Sequence, residues 1–211
     1  MPPKTPPSLD NAPLILASRS PRRIELLRRI GLPFEVCPSD VDERAARGRR
    51  PDQKAVAAAQ MKAQDIARDR PDRIVLGADT IVCLGDRILG KPGDAGEARA
   101  MLRALRGRWH TVVTGLCLVA PGRPPWTAAE HTRVRMADFS DADRDDYIAT
   151  GEPFDKAGGY AIQGDAARLV ASVDGDYYNV VGLPLDLLLT GLSLFLDVAT
   201  FTVPPPPARF V

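Results

Sequence analysis

From residue 14 onward, short apolar runs alternate with segments of helical period, and Gly or Ser-Pro punctuation marks most of the changes. Such alternation, with hairpins inserted, specifies an α/β or mixed α+β fold. Residues 14–17 (LILA) read as a short buried strand, and Ser20-Pro21 supplies an N-cap followed by proline at the first helical position. A helix is expected over 21–30 with Gly31 as its stop. Strand 34–37, an Arg-rich loop over 44–50 and an Ala-rich helix over 52–69 follow. Residues 73–78 read as a buried strand. Residues 81–84 then turn at Gly85-Asp86 into 87–89, which is hairpin grammar. A further helix is expected over 94–106, closed by Gly107. Strands are expected over 111–119 and 126–136, then a helix capped by Ser140 and ending at Gly151. The apolar stretch 183–203 is interrupted by Asp186, Thr190, Ser193 and Asp197, so it reads as a core helix rather than a membrane span.

The chain ends divide differently. Residues 1–13 hold five prolines and 204–207 are four in a row, so 1–13 and 199–211 read as extended tails around a single domain over 14–198. No apolar leader core precedes the first charged and proline residues, which argues against a secretory signal. Cys37, Cys83 and Cys117 are odd in number, with no C-x-x-C spacing, as expected for a reducing compartment such as the cytoplasm.

The 211 residues carry 28 Lys plus Arg against 27 Asp plus Glu, a formal charge of +1 that excludes a nucleic-acid binder working by bulk charge. The sum conceals a gradient: residues 1–50 are net +4 and 151–211 net −4. Such a split suits an anionic ligand and a metal sharing one cleft, the alternative being plain solvated surface. Aromatics are only 6% of the chain, too few for an RNA-binding surface of interleaved stacking residues.

Four segments have chemical potential. In Ser18-Arg19-Ser20-Pro21-Arg22-Arg23, hydroxyls, guanidiniums and helix-start N–H groups converge, which suits a polyphosphate as well as it suits an ordinary capped helix. Asp79, read as directly following a buried strand, is placed to hold Mg²⁺ and orient water, or else to serve as a turn residue. Gly85 to Lys91 matches the G-x-x-x-x-G-K spacing of a phosphate loop, but Pro92 stands where Ser or Thr is needed, so only Lys91 is kept as a phosphate contact. In 151–164, glycines flank Asp155-Lys156, Gln163 offers an amide to a base edge, and Tyr160 is either a stacking platform or a core residue. With two histidines in the chain, a multi-histidine zinc site is excluded, and any metal sits on oxygen ligands, as Mg²⁺ or Mn²⁺ does. The chain has only five lysines against 23 arginines, and three of the five, Lys62, Lys91 and Lys156, fall in or near these segments.

LASRSPRR, Asp42-Glu43, Met61-Lys62-Ala63, GADT, ILGKP, HTVVTG, GEPFDKAGGYAIQG and YNVVGLP together resemble the Maf family of nucleoside triphosphate pyrophosphatases, in the family's order. The resemblance implies two lobes around a central cleft, similar to the inosine triphosphate pyrophosphatase fold, often dimeric, and release of pyrophosphate from a nucleoside triphosphate. It implies Asp79 as catalytic base or water-orienting carboxylate. Phosphate contacts would come from Ser18, Ser20, Arg22, Arg23, Lys62, Lys91, Thr114 and Lys156, and metal ligands from Glu43, Asp79 and Asp155. Arg22, Thr80 and Gln163 would discriminate substrates, and the Thr/Gln combination resembles the branch acting on dTTP and UTP. Met136 and the basic loop 44–50 depart from the family pattern. A non-catalytic nucleotide-binding regulator of cell division is the rival reading; it needs the phosphate grip but no catalytic Asp.

Overall fold

The computed structural model describes residues 14–210, so the expected N-terminal tail lies outside the described residues. Strand β1 (Leu14–Leu16), helix α1 (Pro21–Arg29) and strand β2 (Phe34–Val36) form a parallel crossover with Leu14 opposite Phe34. Helix α2 (Pro51–Asp69) leads into β3 (Val75–Leu84), which lies parallel to β1. A two-residue turn at Gly85-Asp86, with Gly85 at φ 58°, then returns the chain antiparallel as β4 (Arg87–Leu89). This turn is a hairpin, and the phosphate-loop spacing has no structural counterpart.

After α3 (Ala95–Leu105) come the long strands β5 (Trp109–Val119) and β6 (Trp126–Met136) and helix α4 (Asp141–Ala149). Strand β7 (Val170–Asp174) and helices α5 (Tyr177–Val181) and α6 (Leu185–Leu192) complete the fold. The strands form one mixed sheet in the order β2-β1-β3-β5-β6-β7, with β4 added to β3, so the chain is of the expected mixed α/β class.

Three boundaries differ from expectation. Strand β3 runs unbroken through the Gly77–Thr80 segment, so Asp79 sits inside a strand rather than after one. Strand β7 is not among the expected strands: it is only five residues long and mostly partly exposed, and it is defined by antiparallel pairing with β6. Helix α6 stops at Leu192 instead of running to 203. Thr190 and Ser193 hydroxyls bond back to the carbonyls of Asp186 and Thr190, and such bonds compete with continued helix.

The backbone separates into two compact units, the first comprising residues 14–79, 114–130 and 182–205, the second 80–113, 131–181 and 206–210. The first is built on an unusually close approach of α2 to the sheet. Ala55, Ala58, Ala59 and Ala63 are fully buried on one face of α2, and glycines stand opposite them: Gly77 on β3 and Gly115 on β5. A Cβ on Gly77 would lie 2.0 Å from the Ala59 carbonyl oxygen, and one on Gly115 would lie 2.3 Å from the Ala55 carbonyl carbon. Small residues on both surfaces therefore let helix backbone rest on strand backbone, around a core that includes Ile15, Ala17, Ile66, Val75 and Cys117. Gly77→Ala is expected to force α2 off the sheet and to cost about 3 kcal/mol or more. A thermal or urea unfolding curve indistinguishable from wild type would refute this close packing.

In the second unit, α3 is capped by Asp94, which accepts the Glu97 N–H at 2.8 Å, and α4 by a Ser140/Asp143 capping box. Arg144, almost fully buried, bridges Asp141 at 2.8 Å and Asp145 at 3.0 Å, and Arg99 of α3 reaches the same Asp145 at 3.0 Å. The segment read as the C-terminal tail has no regular structure over 201–207. Its end is nevertheless held in the second unit: Arg209 donates to the Val170 carbonyl at 2.8 Å, and the Phe210 ring stacks on Tyr177.

Candidate active site

Within the first unit, the close approach of α2 has a chemical consequence. Lys62 follows from the face that buries Ala59 and Ala63 against Gly77, and strand alternation puts Asp79 on the same side of β3 as Gly77. The Lys62 ammonium, on a side chain only 8% exposed, pairs with Asp79 Oδ1 at 2.8 Å and with Glu43 Oε1 at 2.6 Å. It also donates to the Ala78 carbonyl oxygen at 3.2 Å. Glu43 reaches this point from a 3-10 turn, Glu43–Ala45, capped by the Asp42 side chain. The Arg-rich loop after it is pinned to α2, because Gln53 Oε1 accepts the backbone N–H groups of Arg49 and Arg50. Two carboxylates from distant segments thus share one buried cation.

The Ser18–Arg23 segment stands beside this cluster. Ser18 is buried, and its Oγ accepts from the Ser20 N–H at 3.2 Å and from Arg23 Nη1 at 3.1 Å. Ser20 occupies the N-cap of α1, but its hydroxyl makes no capping bond, so the expected side-chain cap is absent. Arg23 is buried and its Nε donates to the Gly182 carbonyl at 2.9 Å. Burial pushes its guanidinium below the ordinary arginine range, with the negative charges of Asp79 and Glu43 opposing the shift and Arg22 adding to it. Arg23 is therefore largely committed to protein, whereas its half-buried neighbour Arg22 faces more solvent. Thr114 is fully buried, and alternation directs it to the face of β5 opposite Gly115 and α2.

The remaining expected residues belong to the second unit. Lys156 Nζ is held by the Glu152 carbonyl at 2.8 Å and by Asp155 Oδ1 at 2.6 Å, while the Asp155 side chain stays 67% exposed. The Gly158 N–H donates to the Gly90 carbonyl at 2.9 Å, which ties the segment following Lys156 to the residue preceding Lys91. Gln163 is half-buried just before a 3-10 turn, and Thr80 is half-buried in β3. Tyr160 is a core residue: it is 5% exposed and its ring packs edge-on to His110, so it is no platform for a base.

Residues 13–195 match the family described as Maf-like protein. The chain belongs to the Maf family. A Symbiobacterium thermophilum protein named dTTP/UTP pyrophosphatase is 50% identical over 182 residues, covering 86% of this chain and 93% of that protein. One of the same name from Halalkalibacterium halodurans is 48% identical over 182 residues, covering 86% and 95%. Among solved structures, a HAM1 protein from Coxiella burnetii superposes with a TM-score of 0.44 at 15% identity, over 61% of this chain and 74% of that one.

In this Maf-family chain, no group of three His, Cys, Asp or Glu side chains among the described residues is placed to hold a metal alone. Mg²⁺, however, commonly takes one or two carboxylates together with substrate phosphates and water. Glu43 and Asp79, brought together on Lys62, fit that donor set. Asp155, the third expected ligand, lies in the second unit, 67% exposed and paired with Lys156 at 2.6 Å. The Gly182 carbonyl that holds Arg23 has one signal in the sequence, the glycine within the YNVVGLP segment. No described helix is long and apolar enough to cross a membrane.

Proposed function

We propose that the chain hydrolyses dTTP and UTP to the nucleoside monophosphate and pyrophosphate. The observation that carries this reading is the buried Lys62 ammonium shared by Asp79 and Glu43, in a chain whose close relatives are named dTTP/UTP pyrophosphatase. Asp79 is held by Lys62 at 2.8 Å with its side chain 14% exposed, so one carboxylate oxygen is positioned while the group stays within reach of water. It orients a water, and accepts its proton, for attack on the α-phosphorus. As the new P–O bond forms, the bond to the α–β bridging oxygen breaks and pyrophosphate departs.

Such a displacement needs positioning and charge neutralisation more than covalent help. Arg22, Lys62, Lys91 and Lys156 supply the positive charge, and Ser18 with the first-turn N–H groups of α1 supplies uncharged donors. Arg23 acts mainly by holding Ser18 and the Gly182 backbone in place. Glu43 and Asp79 would hold a divalent cation, which when bound neutralises phosphate charge and acidifies water. Gln163 reads the base through its amide, leaving a polar group unpaired when the wrong base is present.

The deciding assay is pyrophosphate release from dTTP, UTP, CTP, ATP and GTP with and without EDTA. Turnover is expected to be highest with dTTP and UTP and to vanish on chelation; zero release across the whole set would end the enzyme reading. Gln163→Glu is expected to redistribute rates among the bases by about tenfold while changing the best rate by less than about threefold. An unaltered substrate ranking in that variant would remove Gln163 from base selection.

A further inference from the structure

One buried polar pair in the second unit is not used by the chemistry above. His110, near the start of β5 and 3% exposed, places its Nε2 2.5 Å from the Tyr160 hydroxyl, with the two rings edge to face at 5.2 Å. The other imidazole nitrogen, Nδ1, is buried without a hydrogen-bond partner among the described residues. Tyr160 is therefore the one hydrogen-bond partner of the His110 ring among the described residues. Leaving polar atoms buried this way costs stability, so the site retains a liability that an apolar pair of similar shape would avoid.

Tyr160 occupies a particular place in the chain. It follows Gly158 and Gly159, whose φ values of 74° and 69° turn the backbone sharply. Gly158 is locked from two sides: its N–H bonds the Gly90 carbonyl, and a Cβ there would come within 2.9 Å of Val82 Cγ1. Those contacts fix the segment on the side of Lys156. On the side of Gln163, Tyr160 and the buried Ile162 enter the core while Ala161 and Gln163 remain partly exposed, so consecutive side chains alternate between core and surface. Slippage by one residue would turn Gln163 inward and Ile162 outward. Apolar burial alone specifies such a register weakly, because rings slide over apolar neighbours; a hydrogen bond at one defined distance does not slide.

We propose that His110 and Tyr160 form a buried positioning pair that sets the register of residues 156–163, and through it the presentation of Lys156 to phosphate and Gln163 to the base. The proposal rests on the assignment of Gln163 to base selection. Neither group acts as an acid or base. Burial lowers the His110 imidazole to about 4 and raises the Tyr160 phenol far above its ordinary range, so both stay neutral near pH 7 and the hydrogen bond persists.

The test uses full-length Tyr160→Phe, His110→Leu and His110→Gln. Gln is chosen because its terminal amide can stand where Nε2 stands and can pair with the hydroxyl through its N–H or its oxygen, whichever partner donates. In Tyr160→Phe and His110→Leu, KM for dTTP is expected to rise about tenfold and the dTTP-to-dCTP ratio of kcat/KM to fall comparably, with kcat changed less than about threefold. His110→Gln is expected to restore both. A purely structural role predicts a uniform loss of active protein with KM and the ratio unchanged, and that result overturns the proposal. Hydrogen exchange supplies a second readout that needs no turnover: amides of 156–163 should exchange at least about fivefold faster in Tyr160→Phe while β5 and β6 keep their protection. Unchanged exchange there overturns the pair as a register device even if the wild type turns over no triphosphate. Failure of the base-selection reading alone shows as altered exchange with an unaltered substrate ranking. If His110→Leu fails to fold, Tyr160→Phe, which removes a single oxygen, decides the matter.

Discussion

Asp79→Asn is expected to fold, to bind dTTP and to lose about a thousandfold in turnover. The amide has nearly the shape of the carboxylate, and its oxygen can still accept from Lys62 Nζ, which lies 2.8 Å from Asp79 Oδ1 in the wild type. Lys62 also keeps Glu43 as a charged partner at 2.6 Å, so no uncompensated buried cation is created. What disappears is the negative charge: a neutral amide neither accepts a proton from water nor binds a divalent cation tightly. The loss should therefore fall on kcat, with nucleotide affinity retained and the unfolding midpoint moved by only a few degrees. Pyrophosphate release, calorimetric titration with dTTP and a thermal melt check the three parts. Turnover within about threefold of wild type would remove Asp79 from the mechanism.

The features that make this prediction possible differ in how visible they are in the sequence. Gly85-Asp86 between two β-rich runs specified a two-residue hairpin locally, and the structure contains it. The Ala-rich period of α2 and the Ser140 cap of α4 were legible for the same reason, since propensity and capping act within a few residues. Local pattern puts Asp79 at the end of a strand, whereas it lies within β3. A carboxylate is a poor strand residue on local grounds, and within β3 its charge is met by Lys62, supplied by a helix whose approach depends on Gly77 and Gly115. That coupling is tertiary, and no window of the sequence contains it. Arg23 makes the same point from the opposite side. Next to Arg22 in the sequence it looks like one more phosphate contact, but the roughly 100° step from one helical residue to the next directs it inward to Ser18 and to the carbonyl of Gly182. Residue type revealed which side chains have chemical potential, and packing decided which of them are free to use it.

Lys62→Met is expected to damage the chain in two separable ways. Methionine matches the stem in length and polarizability, so the apolar contacts of a side chain only 8% exposed are largely kept and the ammonium alone is removed. Asp79 and Glu43 then face one another without the cation between them. Glu43, about half exposed, can turn toward water, whereas Asp79, 14% exposed, bears most of the cost, so stability should fall by about 2 kcal/mol. Turnover should fall about a hundredfold or more, because Asp79 loses the group that orients it and the triphosphate loses a cation. The decisive readout is the magnesium dependence of what activity remains. If the ammonium and a divalent cation compete for the same two carboxylates, removing the ammonium shifts half-maximal activation to a lower Mg²⁺ concentration even as the maximum drops. An activation curve shifted to higher Mg²⁺ would mean that Glu43 and Asp79 are not the cation's ligands. Lys62→Arg should not rescue either effect: a planar guanidinium is too broad for the narrow passage between the Ala face of α2 and β3, and it cannot act as the compact point charge that both carboxylates approach.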